Sequence, residues 1–374
     1  MGLEIERLLS KFCSLGVKYG FVADIANISR GQVMSKDFLR ENAGEYPVYS
    51  SQTENDGMLG RITTYMFDGE YLTWTTDGAN AGTVFYRNGK FSVTNVCGVI
   101  DVTDEEVSTK YLFYILNRET PKHVNKGMGN PKLMSNVMAK IKIPLPPLPV
   151  QQEIVRILDS FTDLTAELTA ELTARKKQYA YYRDELLTFG DDIPCMSIGE
   201  ICEISRGKVI SKDYIRDNPG CYPVFSSQTE DEGVLGLISD YAYDGEYLTW
   251  TTDGANAGTI FYRNGKFSIT NVCGLLKLIN VDVNIRYLYF ILSMTADKYV
   301  SRGMGNPKLM SNVMARIRIP VPPIREQARI VSILDCFDDF CNDLTSGLPA
   351  EIAARQKQYE YYRDKLLTFK ELTH

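Results

Sequence analysis

The sequence predicts an α+β protein. Two homologous α/β domains are separated by two long antiparallel coiled-coil helices in a pseudo-two-fold circular arrangement. Three observations predict this. The chain repeats itself at one long offset, each copy opens with short strand-like runs, and each copy closes in a heptad seam.

The repeat is nearly literal. Ser29-Arg30-Gly31 returns as Ser205-Arg206-Gly207 and Tyr46-Pro47-Val48 as Tyr222-Pro223-Val224, a shift of 176 positions (205 − 29). GEYLTWTTDGANAGT stands letter for letter at Gly69–Thr83 and Gly245–Thr259, and it holds the only two tryptophans, Trp74 and Trp250. Gly127–Ala139 equals Gly303–Ala315 at the same shift. Further on the shift becomes 180 (357 − 177), so the second copy carries four extra residues between Phe337 and Lys357. A period this long marks a duplicated domain, not a solenoid.

Taken in order, residues 1–20 form a fragment of the helical unit, because Glu6–Phe12 echoes Asp184–Phe189 and Asp364–Phe369. A chain that begins with a piece of what it ends in is expected to bring its termini together. Residues 21–149 are expected to form the first mixed α/β domain. Tyr46–Ser50 and Tyr71–Thr75 read as strands, and Val107–Asn117 reads as a helix with Tyr111, Leu112, Ile115 and Leu116 inward. Asn88-Gly89, between Thr83–Arg87 and Lys90–Thr94, predicts a hairpin turn, since Asn-Gly supplies positive φ angles. Arg263–Lys266 repeats that signal. Trp74 and Trp250 are expected to anchor the two cores.

After the proline-rich stop Ile143–Pro149, residues 150–190 read as one helix. Its seam runs Ile154, Leu158, Phe161, Thr165, Leu168, Leu172, Arg175, Tyr179, Tyr182, Leu186, with steps of four and three. Leu164–Ala174 within it reads LTAELTAELTA. Residues 191–323 form the second domain and 324–374 the second helical region. There the series Ile330, Leu334, Phe337, Cys341, Leu344, Leu348, Ile352 contains two consecutive steps of four, a stutter falling on Gly347 and Pro349. That helix is expected to kink or break.

Composition narrows the function. The hydrophobic fraction of 44% and charged fraction of 24% are those of an ordinary globular chain. No run of about eighteen apolar residues is present, so no membrane span is expected. Eight cysteines lie without C-x-x-C spacing, with Cys97 and Cys273 in equivalent apolar runs. These predict buried thiols, a reducing cytoplasmic compartment and no structural zinc. Histidine occurs only at His123 and His374, which removes histidine-base catalysis and His-rich metal sites from the expected chemistries. Asn130-Pro131-Lys132-Leu133 is similar to the Asn-Pro-Pro-aromatic loop of DNA amino-methyltransferases but lacks its second proline and its aromatic. The carboxylates Asp68, Glu70 and Asp77 fall in a strand-and-turn pattern rather than a metal-binding one. No catalytic residue and no metal ligand are assigned.

What each copy offers is polar loops suited to binding. Ser50, Ser51 and Gln52 supply hydroxyls and an amide. Thr75, Thr76, Asp77 and Asn80 add hydroxyls, an acceptor and a second amide, with glycines permitting close approach. Lys126, Asn130 and Lys132 lie in a basic run from Arg118 to Lys142 whose single acid is Glu119, a candidate phosphate grip despite the net charge of −6. Arg30 completes the set. The second copy repeats it as Arg206, Ser226, Ser227, Gln228, Thr251, Thr252, Asp253, Asn256, Arg302, Asn306 and Lys308. DNA binding is the leading reading, and a duplicated carbohydrate- or protein-binding module is the alternative.

At this point the whole chain resembles a specificity (S) subunit of a type I restriction–modification system. The resemblance rests on two recognition domains alternating with two helical regions. Each domain closes on Lys-Leu-Met-Ser…Ile-Pro-x-Pro-Pro and a Gln-x-x-Ile…Leu-Asp helix start, at Gln152–Asp159 and Gln327–Asp335. The LTAELTAELTA tract is similar to a spacer repeat of some members. The resemblance implies a subunit without chemistry of its own, each domain reading half of a split double-stranded DNA site. It implies helices that act as a ruler and dock two methyltransferase (modification) subunits. S-adenosylmethionine would bind those partners, not this chain, and ATP-dependent restriction subunits would join the core. The four-residue insertion departs from a symmetric pattern. Because the reading loops are identical, the expected target is an interrupted, near-palindromic inverted repeat, with Gln32/Lys208, Arg61/Leu237, Thr64/Asp240 and Met66/Ala242 as positions able to alter one half.

Overall fold

The structure, a computed structural model, describes residues 3–127, 129–303, 305–342 and 347–372, with the side chains of 3 and 339–342 outside the description. The chain divides into two units, Met1–Thr169 with Glu351–His374, and Ala170–Ala350.

The first unit runs α1 (Leu3–Phe12), β1 (Lys18–Phe21), α2 (Val22–Ile25), β2 (Ala26–Arg30), α3 (Lys36–Glu41), β3 (Ala43–Tyr49), β4 (Met58–Ile62), β5 (Phe67–Thr75), β6 (Val84–Val93), β7 (Cys97–Val102), α4 (Thr109–Glu119), α5 (Ser135–Met138), β8 (Lys142–Leu145) and the start of α6 (Leu148–Leu186). Six strands form one sheet in the order β2-β7-β5-β6-β3-β4. Every pair is antiparallel except β3 with β6, so the sheet is mixed. β1 pairs with β8 separately.

Burial follows the sequence pattern. The first half of β5 alternates between faces, and its second half, Leu72–Thr75, is buried throughout where α4 covers it. Trp74 is 0% exposed, its indole N–H donates to the Leu133 carbonyl at 3.0 Å, and a Cβ on Gly98 would lie 2.2 Å from its ring. Glycine at 98 is therefore a packing requirement. α4 begins at the cap Ser108 and buries Tyr111, Leu112, Ile115 and Leu116, the residues its spacing selects. Burial pushes the Cys97 thiol up to about 12, as expected of an inert core cysteine.

The hairpin expected at Asn88-Gly89 is corrected by the structure. These residues lie inside the continuous strand β6, where Gly89 faces Gly69 across the ladder. Both glycines have positive φ, +102° and +132°, within a ladder whose register carries on unbroken to both sides. The real connection between β5 and β6 is the Thr76–Thr83 loop, with positive-φ glycines at Gly78 and Gly82.

The chain's end folds onto this unit. Val17 bridges Glu371, the Tyr19 hydroxyl donates to the Phe369 carbonyl at 2.9 Å, and Lys142 pairs with Glu371 at 2.6 Å. Leu366 and Leu367 join the core that holds Ile5 and Trp74. The echo between the two chain ends is thus a real adjacency.

The second unit repeats the plan: the rest of α6, β9 (Cys195–Ser197), α7 (Ile198–Ile201), β10 (Cys202–Arg206), α8 (Lys212–Asp217), β11 (Pro219–Phe225), β12 (Val234–Ile238), β13 (Tyr243–Thr251), β14 (Ile260–Ile269), β15 (Cys273–Leu278), α9 (Ile285–Thr295), α10 (Ser311–Met314), β16 (Arg318–Pro320) and α11 (Ile324–Asn342). Its sheet order, β10-β15-β13-β14-β11-β12, is the first order renumbered. Trp250 again donates to a backbone carbonyl, that of Leu309, at 2.9 Å.

α6 spans 39 residues without interruption. Near its start Gln151 is buried; its amide oxygen accepts from Ser108 N and its amide N–H groups donate to the Glu106 and Pro146 carbonyls. Gln327 makes the matching set with Asn284, Asp282 and Pro322. The helix-start glutamine of the first copy is therefore Gln151, one residue before Gln152. The seam is buried at Ile154 and Leu158, half-covered from Phe161 to Leu172, and open at Arg175. Phe161 stacks on Tyr362 at 5.6 Å within the first unit, and Tyr182 on Phe337 at 5.8 Å within the second. The second helical region is two helices, α11 and α12 (Leu348–Leu366), with the bend residue Gly347 outside both. Leu344 and the Cys341 side chain of the stutter lie outside the described residues.

Candidate nucleic-acid interface

The three polar segments of each copy are distant in sequence, and the fold joins them. The Thr76–Thr83 loop lies along the lysine-flanked loop: Asp77 bridges Lys132, Gly78 N donates to the Pro131 carbonyl at 3.1 Å, and Leu133 N to the Thr76 carbonyl at 2.9 Å. On its other side the Asn80 amide donates to the Thr53 hydroxyl at 2.9 Å, tying it to Ser50–Thr53. The β6–β7 turn is the hub. Thr94 donates to the Ser50 hydroxyl, Thr76 to the Val96 carbonyl, both at 3.0 Å, and Asn95 N to the Gln32 carbonyl at 2.9 Å. The second domain repeats these ties through Asn256–Thr229, Asp253–Lys308, Thr270–Ser226 and Thr252–Val272.

The segments do not contribute equally. Asn80, Lys126, Asn130 and Lys132 are exposed, and Ser50, Ser51, Gln52 and Asp77 are half-buried. Thr75 and Thr76 are buried, with the Thr75 hydroxyl donating to the Asn80 carbonyl and accepting from Thr83 N at 3.2 Å. They shape the loop rather than line its surface, and Thr251 and Thr252 do the same. Gln52 commits its amide N–H to the Met58 carbonyl and Gln228 to that of Val234. Arg30 is exposed but leans on α5 through Ser135 at 3.3 Å and Met134 sulfur at 3.4 Å; Arg206 reaches Met310 sulfur at 3.8 Å. Ser227, Asn306 and Lys308 occupy the matching places. Lys126 has no carboxylate partner among the described residues, whereas Arg302 pairs with Asp297. An open cleft of about 390 Å³ runs between Asn80, Asn117, Lys126 and Pro131.

The sequence reading missed Arg87 and Arg263. Arg87 is 4% exposed, lies 3.6 Å over the Tyr49 ring, donates to Thr73 at 3.2 Å and to the Asp56 carbonyl at 2.7 Å, and pairs with the Asp56 carboxylate. It braces a turn in which Asn55 and Asp56 both have positive φ, +50° and +55°, an arrangement that needs outside support in non-glycine residues. Arg263 likewise donates to the Glu232 carbonyl at 2.5 Å in a turn where Asp231 and Glu232 have positive φ, but the Glu232 carboxylate stands 3.8 Å away, and burial pushes the Arg263 guanidinium down to about 10. The sequence marked neither arginine beyond its repetition in both copies, since each stands in a strand that also carries Asn, Gly, Lys and Ser.

Two like domains, each tying amides, hydroxyls and basic side chains together on neighbouring loops and connected by a long helix, make a duplicated protein with one polar loop cluster per copy. The family model for the type I restriction modification DNA specificity domain matches residues 15–175 and 191–354, and the chain belongs to that family. It is a non-catalytic specificity subunit, the DNA sequence-recognition subunit of a type I restriction–modification complex. A Mycoplasma pneumoniae chain described as a type I specificity subunit, S.MpnORF365P, is 45% identical over 260 residues, 67% of this chain and 95% of the relative. The type I restriction enzyme MpnII specificity subunit of the same organism is 39% identical over 316 residues, 67% of this chain and 96% of the relative. The crystal structure of the type I restriction–modification S subunit from M. genitalium matches with a TM-score of 0.65 at 14% identity, covering 94% of this chain and 96% of that one. Among the described residues no helix is long and apolar enough to cross a membrane.

Proposed function

We propose that each domain reads one half of a bipartite double-stranded DNA site, that the two halves are near-identical words on opposite strands, and that α6 and the α11–α12 region set the spacer. The observation that carries this is the convergence of the three polar segments onto one face, repeated with the same residues in the second domain. Asn80, Asn130, Gln52 and their equivalents reach base edges, while Lys126, Lys132, Arg302 and Lys308 hold phosphates. The helical regions dock two methyltransferase subunits, which bind S-adenosylmethionine, and restriction subunits join them in the cytoplasm.

The loop assignment is tested by duplex binding of the reconstituted methyltransferase complex across a salt series. Lys126→Ala is expected to weaken binding evenly across sequences and to lower the salt slope by about 1. An unchanged slope and affinity would remove this loop from the DNA.

A further inference from the structure

The domains are close copies, so exposed differences beside the polar face carry information. Gln32 corresponds to Lys208, Thr64 to Asp240 and Met66 to Ala242. In the second domain Lys208, Asp240, Tyr241 and Ala242 line one cleft of about 430 Å³. The backbone that carries the first of these positions is pinned in both copies. A Cβ on Gly31 would lie 1.9 Å from the Val93 carbonyl oxygen, and one on Gly207 2.1 Å from that of Ile269. Gln32 bridges Thr94 and Lys208 bridges Thr270, the threonines whose hydroxyls donate at 3.0 Å to Ser50 and Ser226. Both side chains thus leave the same fixed platform beside the reading face. Gln32, Thr64, Lys208 and Asp240 are all exposed. Among the described residues Gln32, Thr64 and Lys208 make no side-chain hydrogen bond or ion pair, and Asp240 accepts only from Tyr241 N at 2.8 Å.

We propose that these two positions make the half-sites differ at one base pair: the first domain takes A·T there through Gln32, and the second takes G·C through Lys208 with Asp240. The chemistry is that of the major-groove edges. A glutamine amide matches adenine, donating to N7 and accepting from the N6 amino group. An ammonium donates to guanine O6 and N7, and a carboxylate accepts from the N4 amino group of the paired cytosine. Lys208 and Asp240 together therefore complement a whole G·C pair, and the shortening of Met66 to Ala242 widens the approach. Placement on a pinned backbone is what a discriminating contact needs. The expected preference for the matching pair is roughly ten- to a hundredfold. This inference rests on the reading that equal loops select equal words.

The experiment sequences the methylated sites produced by the reconstituted methyltransferase complex carrying wild type, Gln32→Lys with Thr64→Asp, or Lys208→Gln with Asp240→Thr. Wild type is expected to give an inverted repeat broken at one pair, A·T in one half and G·C in the other. The first double variant should give G·C in both halves and the second A·T in both. Swaps that leave a shared-word motif unchanged, or that alter it elsewhere, overturn this inference alone. Wild-type halves identical at every pair overturn it too. Halves with no word in common overturn the equal-word reading beneath it. A variant that methylates nothing is assayed by binding to duplexes carrying each pair at that position: a switched preference supports the inference and an unswitched one overturns it.

Discussion

Trp74→Ala is expected to unfold the first domain well before the second. The side chain is wholly buried, its N–H satisfies the Leu133 carbonyl, and Gly98 has been left bare to admit its ring. Removing it costs about 3–5 kcal/mol of packing, with the freed carbonyl adding to the loss. Leu133 also hands its N–H to the Thr76 carbonyl, so the lysine-flanked loop should loosen with it. The variant keeps Trp250 as its one tryptophan, which makes the measurement selective. In urea, circular dichroism should show a new early transition while Trp250 fluorescence keeps the wild-type midpoint. A single transition within about 1 kcal/mol of wild type would contradict this account of the core.

Inserting one Leu-Thr-Ala-Glu unit after Leu172 is expected to lengthen the DNA spacer by one or two base pairs while leaving both half-words intact. α6 runs unbroken through the LTAELTAELTA tract, so four residues add about 6 Å and a net turn of about 40°. A base pair adds about 3.4 Å and 35° to DNA. The two increments are close enough in rotation for a reading face to keep meeting its groove. The added unit is a stutter in the seam, and the middle of the seam, from Phe161 to Leu172, is only half-covered, so the cost in packing is small. The second copy already carries four extra residues at the corresponding place. Sequencing the sites methylated by the insertion variant reads the spacer directly. A spacer of unchanged length would count against the helix as ruler.

Much of this architecture was legible because duplication writes itself twice. The shift of 176 positions anticipated two sheets of the same strand order, and seam periodicity anticipated the long helix α6 and the division of the second helical region into α11 and α12. The hairpin at Asn88-Gly89 was misread because local turn propensity lost to the ladder: Gly69, twenty positions upstream of Gly89 (89 − 69), supplies the facing positive-φ residue, and no short window holds both. The polar segments that composition singled out do lie side by side, but composition cannot separate a surface hydroxyl from one that folds its own loop. Thr75 and Thr76 bond to Asn80 and Val96, so the exposed polar groups are fewer than the motif contains. Arg87 was invisible for the opposite reason. A cation in a strand looks like a solvent-facing residue until Tyr49, Phe85 and the Asp56 turn close over it.

The doubled segment Gly69–Thr83 and Gly245–Thr259 is therefore half core and half polar loop, and its duplication motivates the central proposal that two equal readers select the same word on opposite strands. The direct measurement is methylation-site sequencing of DNA treated with the reconstituted wild-type complex. The account predicts an interrupted site whose halves are inverted copies of one short word, differing at no more than one base pair. Two halves with unrelated sequences would contradict it.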